Sequence, residues 1–160
     1  MPADPPPRLA PDLPPLPPSP GELAERLGIQ IVELSAERVV ATMPVAGNRQ
    51  PYGLLHGGAS VALAETVGSV AAVCLPAARG RVAVGIEISA THHRAATDGL
   101  VTAVCVPIST GRTLATFDIR ITDEAGRAVC TSRLTCLLRD APPAGPPAGK
   151  AAPAVAPDGR

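Results

Sequence analysis

Gln50-Pro51-Tyr52-Gly53-Leu54-Leu55-His56-Gly57-Gly58-Ala59-Ser60-Val61-Ala62-Leu63-Ala64-Glu65-Thr66-Val67-Gly68-Ser69-Val70-Ala71-Ala72 is the stretch that decides how the chain folds. It opens as a loop, because Pro51 and Gly53 disfavour a helix. After Gly58 it becomes a run of Ala, Val and Leu, which favours one. The run extends to about Cys74, where Leu75-Pro76 stops it, since a proline disfavours helical geometry in the residue before it. Apolar residues occupy nearly every face, the pattern of a helix buried inside a domain. Its single charge is Glu65, and a buried carboxylate costs several kcal/mol unless something offsets it, on the order of a desolvated ion.

Around this helix the chain reads as strands. Ile29 to Leu34 and Val39 to Val45 precede it, with a turn between. Beyond Arg79-Gly80-Arg81 four strands follow. In the first, Val82, Val84, Ile86, Ile88, Ala90 and His92 alternate with Ala83, Gly85, Glu87, Ser89, Thr91 and His93, a period of two. The others run from Leu100 to Ile108, Thr113 to Thr122 and Ala128 to Leu138, and their short turns predict antiparallel pairing between neighbours. A short leading helix is expected after Ser19-Pro20-Gly21-Glu22, with Ser19 as cap, Leu23 and Leu27 on one face and Gly28 as its end. The inventory predicts an α+β fold, an antiparallel sheet of about six strands curled round one long helix.

Composition bounds the rest. A chain of 160 residues suits one domain. Residues 1–20 hold ten of the twenty prolines and residues 141–160 six more, so both segments are expected to be disordered or extended tails flanking a folded unit at 21–140. Lys and Arg total 14 and Asp and Glu 14, so no basic surface points to nucleic acid or anionic lipid. One Phe, one Tyr and no Trp leave no platform for stacking bases. Cys74, Cys105, Cys130 and Cys136 form no CxxC pair and no metal-binding spacing, and read as small buried residues in a reducing cytosol. Glu65 and the glycines interrupt the apolar run, which argues against a membrane span. A soluble, cytoplasmic protein without a metal is expected.

The chemistry concentrates at the start of the long helix. His56-Gly57-Gly58 presents backbone N–H groups at the positive end of the helix dipole, where an oxygen that becomes anionic can be held. Glu65 reads either as a catalytic carboxylate or as one paired with a buried arginine or serine. Gly57 and Glu65 are eight residues apart, about 12 Å along one helix. One reacting carbon needs a donor and a base within about 3 Å of the atoms they serve, so one helix cannot supply both. Two copies about a two-fold axis can, which predicts a homodimer with active sites in its interface.

The long motif, with Gly85-Ile86-Glu87-Ile88, His92 to Arg94, Pro107 to Gly111 and Ser132-Arg133-Leu134-Thr135, resembles the hotdog-fold acyl-CoA thioesterases. The group it looks like includes the 1,4-dihydroxy-2-naphthoyl-CoA hydrolases, the enterobactin proofreading thioesterases and the phenylacetate-pathway thioesterases. The resemblance covers about residues 21–139. It implies hydrolysis of an acyl-CoA or acyl-carrier-protein thioester with no cofactor beyond the substrate's own CoA, in a homodimer that joins into a tetramer. It implies Glu65 as nucleophile or general base, Gly57 N–H as oxyanion donor, Gln50 and His56 as polar groups beside the thioester, and Ser69 as a helper. An aromatic acyl group is implied by the resemblance alone. Gly85, His92, His93 and Arg94, with a turn at Ser109, Thr110, Gly111 and Arg112, are expected to hold the substrate. Plainer readings stand beside these: His56 as a helix cap, His92 as a core histidine, residues 109–112 as an ordinary polar turn. An enoyl-thioester hydratase or dehydratase of the same fold, and a non-catalytic thioester-binding module, are the alternative functions.

Overall fold

The computed structural model describes residues 7–11, 13, 19–75 and 78–140. The elements are β1 (Arg8–Leu9), α1 (Glu22–Leu27), β2 (Gln30–Leu34), β3 (Val39–Pro44), α2 (Gly57–Cys74), β4 (Arg81–His92), β5 (Leu100–Thr110), β6 (Leu114–Asp123) and β7 (Ala128–Asp140). The strands form one sheet in the order β1-β2-β3-β5-β6-β7-β4. Every pairing is antiparallel except the two-residue β1–β2 contact. The sheet wraps α2, so the hotdog arrangement implied by the sequence is the one observed.

The core between helix and sheet is aliphatic. Leu63 and Val67 of α2 meet Met43, Ile119, Ile121, Leu134 and the single phenylalanine, Phe117, all fully buried. Gly68 allows the close approach: a Cβ there would lie 2.4 Å from Leu134 Cδ2. All four cysteines are buried with free thiols. By length and composition α2 could cross a membrane, yet nine of its residues are buried in the protein's own core.

The structure revises several expectations. Neighbouring strands pair as expected at β2–β3, β5–β6 and β6–β7, but β4 pairs with β7 and β3 with β5. The connection from β4 to β5 is the reason. A tight hairpin takes two to five residues, whereas residues 93–99 are enough to cross the end of the barrel-like sheet. The crossing is fastened to the loop before α2, through Leu55 N–H to Ala96 O (2.8 Å) and the Arg49 guanidinium to Thr97 O (2.8 and 3.0 Å).

β4 itself breaks phase. Its register with β7 shifts between Gly85 and Glu87, and one extra residue in a strand reverses which face follows. Val84 and Ile86 are consequently exposed, while Ala83 and Ile88 pack on the core. β5 continues to Thr110, so Ser109 and Thr110 are strand residues, and the turn begins at Gly111.

α2 is not covered on all sides. Val61, Ala62, Glu65, Thr66, Ser69, Val70 and Val73 form a half-buried stripe at helical spacing. At α1 the N-cap is Gly21 with no side-chain cap; Ser19 Oγ accepts from Gly21 N–H and bonds the Glu25 carboxylate. Leu23 is exposed and Ala24 faces inward, while Gly28 ends the helix with φ 70° as expected.

The expected amino-terminal tail is partly structured. Arg8 and Leu9 pair with Glu33 and Leu34, and Ala10 N–H bonds Leu34 O at 3.0 Å. The open edge of β2 offers unpaired backbone groups, which a segment from the same chain can satisfy. The carboxy-terminal tail, 141–160, lies outside the described residues, as do 1–6, 12 and 14–18 and the Pro76 expected to stop α2.

Candidate active site

The start of α2 is built by a capping hydrogen bond. His56 is the N-cap, and its Nδ1 accepts from Gly58 N–H at 2.8 Å. That acceptor role puts the proton of the neutral ring on Nε2. Ala59 and Ser60 donate their N–H groups to His56 O, at 2.9 and 3.3 Å. Gly57 is left over: among the described residues its N–H has no acceptor.

Other groups converge on that N–H. The His92 ring lies against Gly57, so close that a Cβ there would sit 2.9 Å from His92 Nε2. Gln50 Oε1 accepts from Tyr52 N–H at 2.8 Å, so that its amide oxygen is engaged by the loop. Gln50, Gly57, His92, His93 and Arg94 line one cavity of about 370 Å3. His93 Nε2 lies 2.8 Å from Thr131 Oγ1.

Two residues outside the motif hold this half in place. The buried Asn48 donates through Nδ2 to Leu27 O (2.7 Å) and Pro44 O (2.8 Å), and its backbone carbonyl accepts from His56 N–H (2.9 Å). Arg49 ties the same loop to residue 97. An asparagine in a polar loop carries no sequence signal for such a role, because the partners come from distant segments.

The second half of the site lies two turns further along α2. Glu65 is half-buried on the open stripe. Burial raises its pKa above the ordinary 4.5, and a hydrogen bond from Ser69 opposes that rise. Ser69 Oγ donates to Glu65 Oε1 at 3.4 Å. Across from the carboxylate is Gly85 of β4, where a Cβ would lie 2.0 Å from Oε1. Gly85 makes room for the carboxylate. Beneath them lies Cys136, whose thiol burial pushes up to about 11, with the Glu65 charge adding to the rise. A cavity of about 470 Å3 opens beside Ser69 and is lined mostly by apolar residues.

The predicted site residues therefore fall into two clusters. Gln50, Gly57, His92, His93 and Arg94 come together in one cleft, and Glu65, Ser69 and Gly85 come together apart from it, with Ser69 at the edge of the apolar cavity. The residues expected as a turn stand apart from both. Gly111 N–H bonds Leu114 O (2.8 Å) and Arg112 O accepts from Arg81, at the end of β4 opposite to His92. Arg81 and His92 are the two ends of β4, eleven positions apart and about 36 Å along the strand. Among the described residues, Ser109, Thr110, Gly111 and Arg112 do not line the cleft that holds His92, His93 and Arg94.

Comparison with known proteins adds to this geometry. The family profile of the thioesterase superfamily matches residues 52–130. The chain is 52% identical over 116 residues to the proofreading thioesterase EntH of Cronobacter turicensis, covering 72% of this chain and 84% of that protein. It is 45% identical over 119 residues to the 1,4-dihydroxy-2-naphthoyl-CoA hydrolase of Escherichia coli, covering 74% and 87%. Two solved structures of one Staphylococcus aureus thioesterase superpose with TM-scores of 0.70 and 0.71, at 33% and 34% identity, over 73% and 74% of this chain and 98% of that one. One is a glutamine-to-alanine mutant and the other a glutamate-to-alanine mutant, at positions fifteen residues apart.

Proposed function

We propose, because this chain belongs to the thioesterase superfamily and is a thioester-hydrolysing enzyme, that its substrate is an acyl-CoA and that Glu65 and Gly57 carry the reaction. Glu65 activates a water, or attacks the thioester carbonyl itself, and the Gly57 N–H receives the oxygen that becomes negative. CoA thiolate then leaves; on the water route the acid forms directly, and on the nucleophilic route water hydrolyses the acyl–Glu65 anhydride, releasing the acid and restoring the carboxylate. The observation that carries the reading is the free Gly57 N–H at the tip of α2, since every other N–H of that turn is already bonded.

The surrounding groups fit this assignment. The Gln50 side chain, which shares a cleft with Gly57, and the Nε2–H of His56 are donors for the thioester. His93 and Arg94 suit the CoA phosphates. Gln50 and Glu65 stand fifteen positions apart, as do the two substituted residues of the Staphylococcus aureus thioesterase. An aromatic acyl group is favoured by the likeness to the naphthoyl-CoA hydrolase.

The two clusters support a homodimer in which Glu65 of one protomer serves the Gly57 of its partner. Val61, Ala62 and Thr66 on the half-buried stripe of α2 and the edge strand β4, with Val84 and Ile86 exposed, are the surfaces left for that contact. In such a dimer two antiparallel copies of β4 also bring the Arg112 end of one protomer toward the His92 end of the other.

The test is thiol release from a panel of acyl-CoA and acyl-carrier-protein thioesters. Glu65→Ala is expected to abolish release while the protein remains folded and associated. Turnover equal to that of the unaltered chain would remove Glu65 from its role. Loss of double-bond absorbance from an enoyl-CoA without thiol release would instead favour the hydratase reading.

A further inference from the structure

We infer that Pro7, Leu9 and Pro20, which precede the curled sheet, form the outer wall of the acyl pocket and set which acyl groups are accepted, an inference that rests on the hydrolase reading above. The cavity of about 470 Å3 starts at Ser69, whose hydroxyl is 3.4 Å from the Glu65 carboxylate. Its floor is Val70 and Val73 on the open stripe of α2, and its far side is Ile31 and Leu34 of β2. Pro7, Leu9 and Pro20, residues that precede the curled sheet proper, also line it. Apolar lining at this volume suits an apolar organic group rather than a nucleotide.

Position selects the occupant. A carbonyl carbon held at Glu65 has two substituents, the thioester sulfur and the acyl carbon. CoA is polar and highly charged, so its place is the cleft with His93 and Arg94. The acyl group is then directed past Ser69 into the apolar cavity. Leu9 is held over it by the pairing of Arg8 and Leu9 with β2 and by the bond from Ala10 N–H to Leu34 O. Only two residues of β1 pair, so the wall is a local addition and its side chains can be changed without cutting into the core. Leu9 is itself 58% exposed.

The chain has no tryptophan, so Leu9→Trp places a single reporter in the wall. In a Glu65→Gln background, benzoyl-CoA or decanoyl-CoA is expected to shift its emission to the blue, and CoA alone or acetyl-CoA is expected to leave it unchanged. Emission unchanged by every thioester, or shifted equally by CoA alone, overturns the inference. With Glu65 intact, Leu9→Trp is expected to lower the ratio of kcat/KM for decanoyl-CoA over acetyl-CoA about tenfold, the discrimination one change in an apolar pocket brings. Leu23→Trp, on the exposed face of α1, should leave that ratio alone. An unchanged ratio in Leu9→Trp also overturns the inference. If the unaltered chain releases thiol from no thioester, the hydrolase reading fails, and the emission titration still decides the wall.

Discussion

At Glu65 two opposing effects meet on one carboxyl group. Burial favours the protonated form and the Ser69 hydroxyl favours the ionised one, with burial the larger. A base must be ionised, so kcat/KM is expected to fall as pH drops through a midpoint above 4.5. Removing the hydroxyl leaves burial unopposed. Ser69→Ala should therefore move the acid limb of the pH–rate profile to higher pH, and a limb that stays put or moves down would contradict the pairing. The same raised pKa works against folding at high pH: the folded state holds the proton more tightly, so stability falls as pH rises from 4.5 through the folded midpoint. Gly85 sets where the carboxylate can be. Gly85→Ala forces Oε1 away from a Cβ that would lie 2.0 Å from it, and about a 100-fold loss in kcat/KM is expected for a displacement near 1 Å. Steady-state kinetics beside a circular dichroism melt would separate that loss from unfolding.

Among the elements, α2 and β4 position the candidate site. α2 begins where His56 caps it, and the same bond leaves Gly57 free. His56→Ala should cost about 1 kcal/mol of stability, the usual worth of a cap, read as a lower midpoint in urea. It should also lower turnover, because Gly57 is then held less firmly. A variant as stable as the unaltered chain would mean that the bond to Gly58 N–H adds nothing. β4 shows how one residue redirects an element. The alternation of apolar residues from Val82 to His92 is regular in the sequence, but the bulge near Ile86 turns Val84 and Ile86 out and leaves His92 over Gly57. No local pattern marks that bulge. Its visible cause is the need to seat Glu65 opposite Gly85 while Ile88 still reaches the core.

In the assembled molecule the question is whether one protomer or two complete the site. If Glu65 of one protomer serves Gly57 of its partner, two inactive chains should rescue each other. Co-refolding Glu65→Ala with Gly57→Pro, which removes the N–H at a first helical position that tolerates proline, in equal amounts is expected to restore about a quarter of full activity, because half the dimers are mixed and each holds one intact site. No recovery would place both groups in one chain's own site. Much of this was legible beforehand. The Ala-rich run, its loop, its lone carboxylate and the strands around it follow from short-range propensity and period, which neighbouring residues determine. The motif from Gln50 to Ala72 carried the candidate residues because they lie close together along the chain. Strand order, the crossing of residues 93–99, the role of Asn48 and the pairing of Arg8–Leu9 with β2 were not legible. Each depends on contacts between segments far apart in sequence, and the free energy of those contacts exists only once the sheet has closed around the helix.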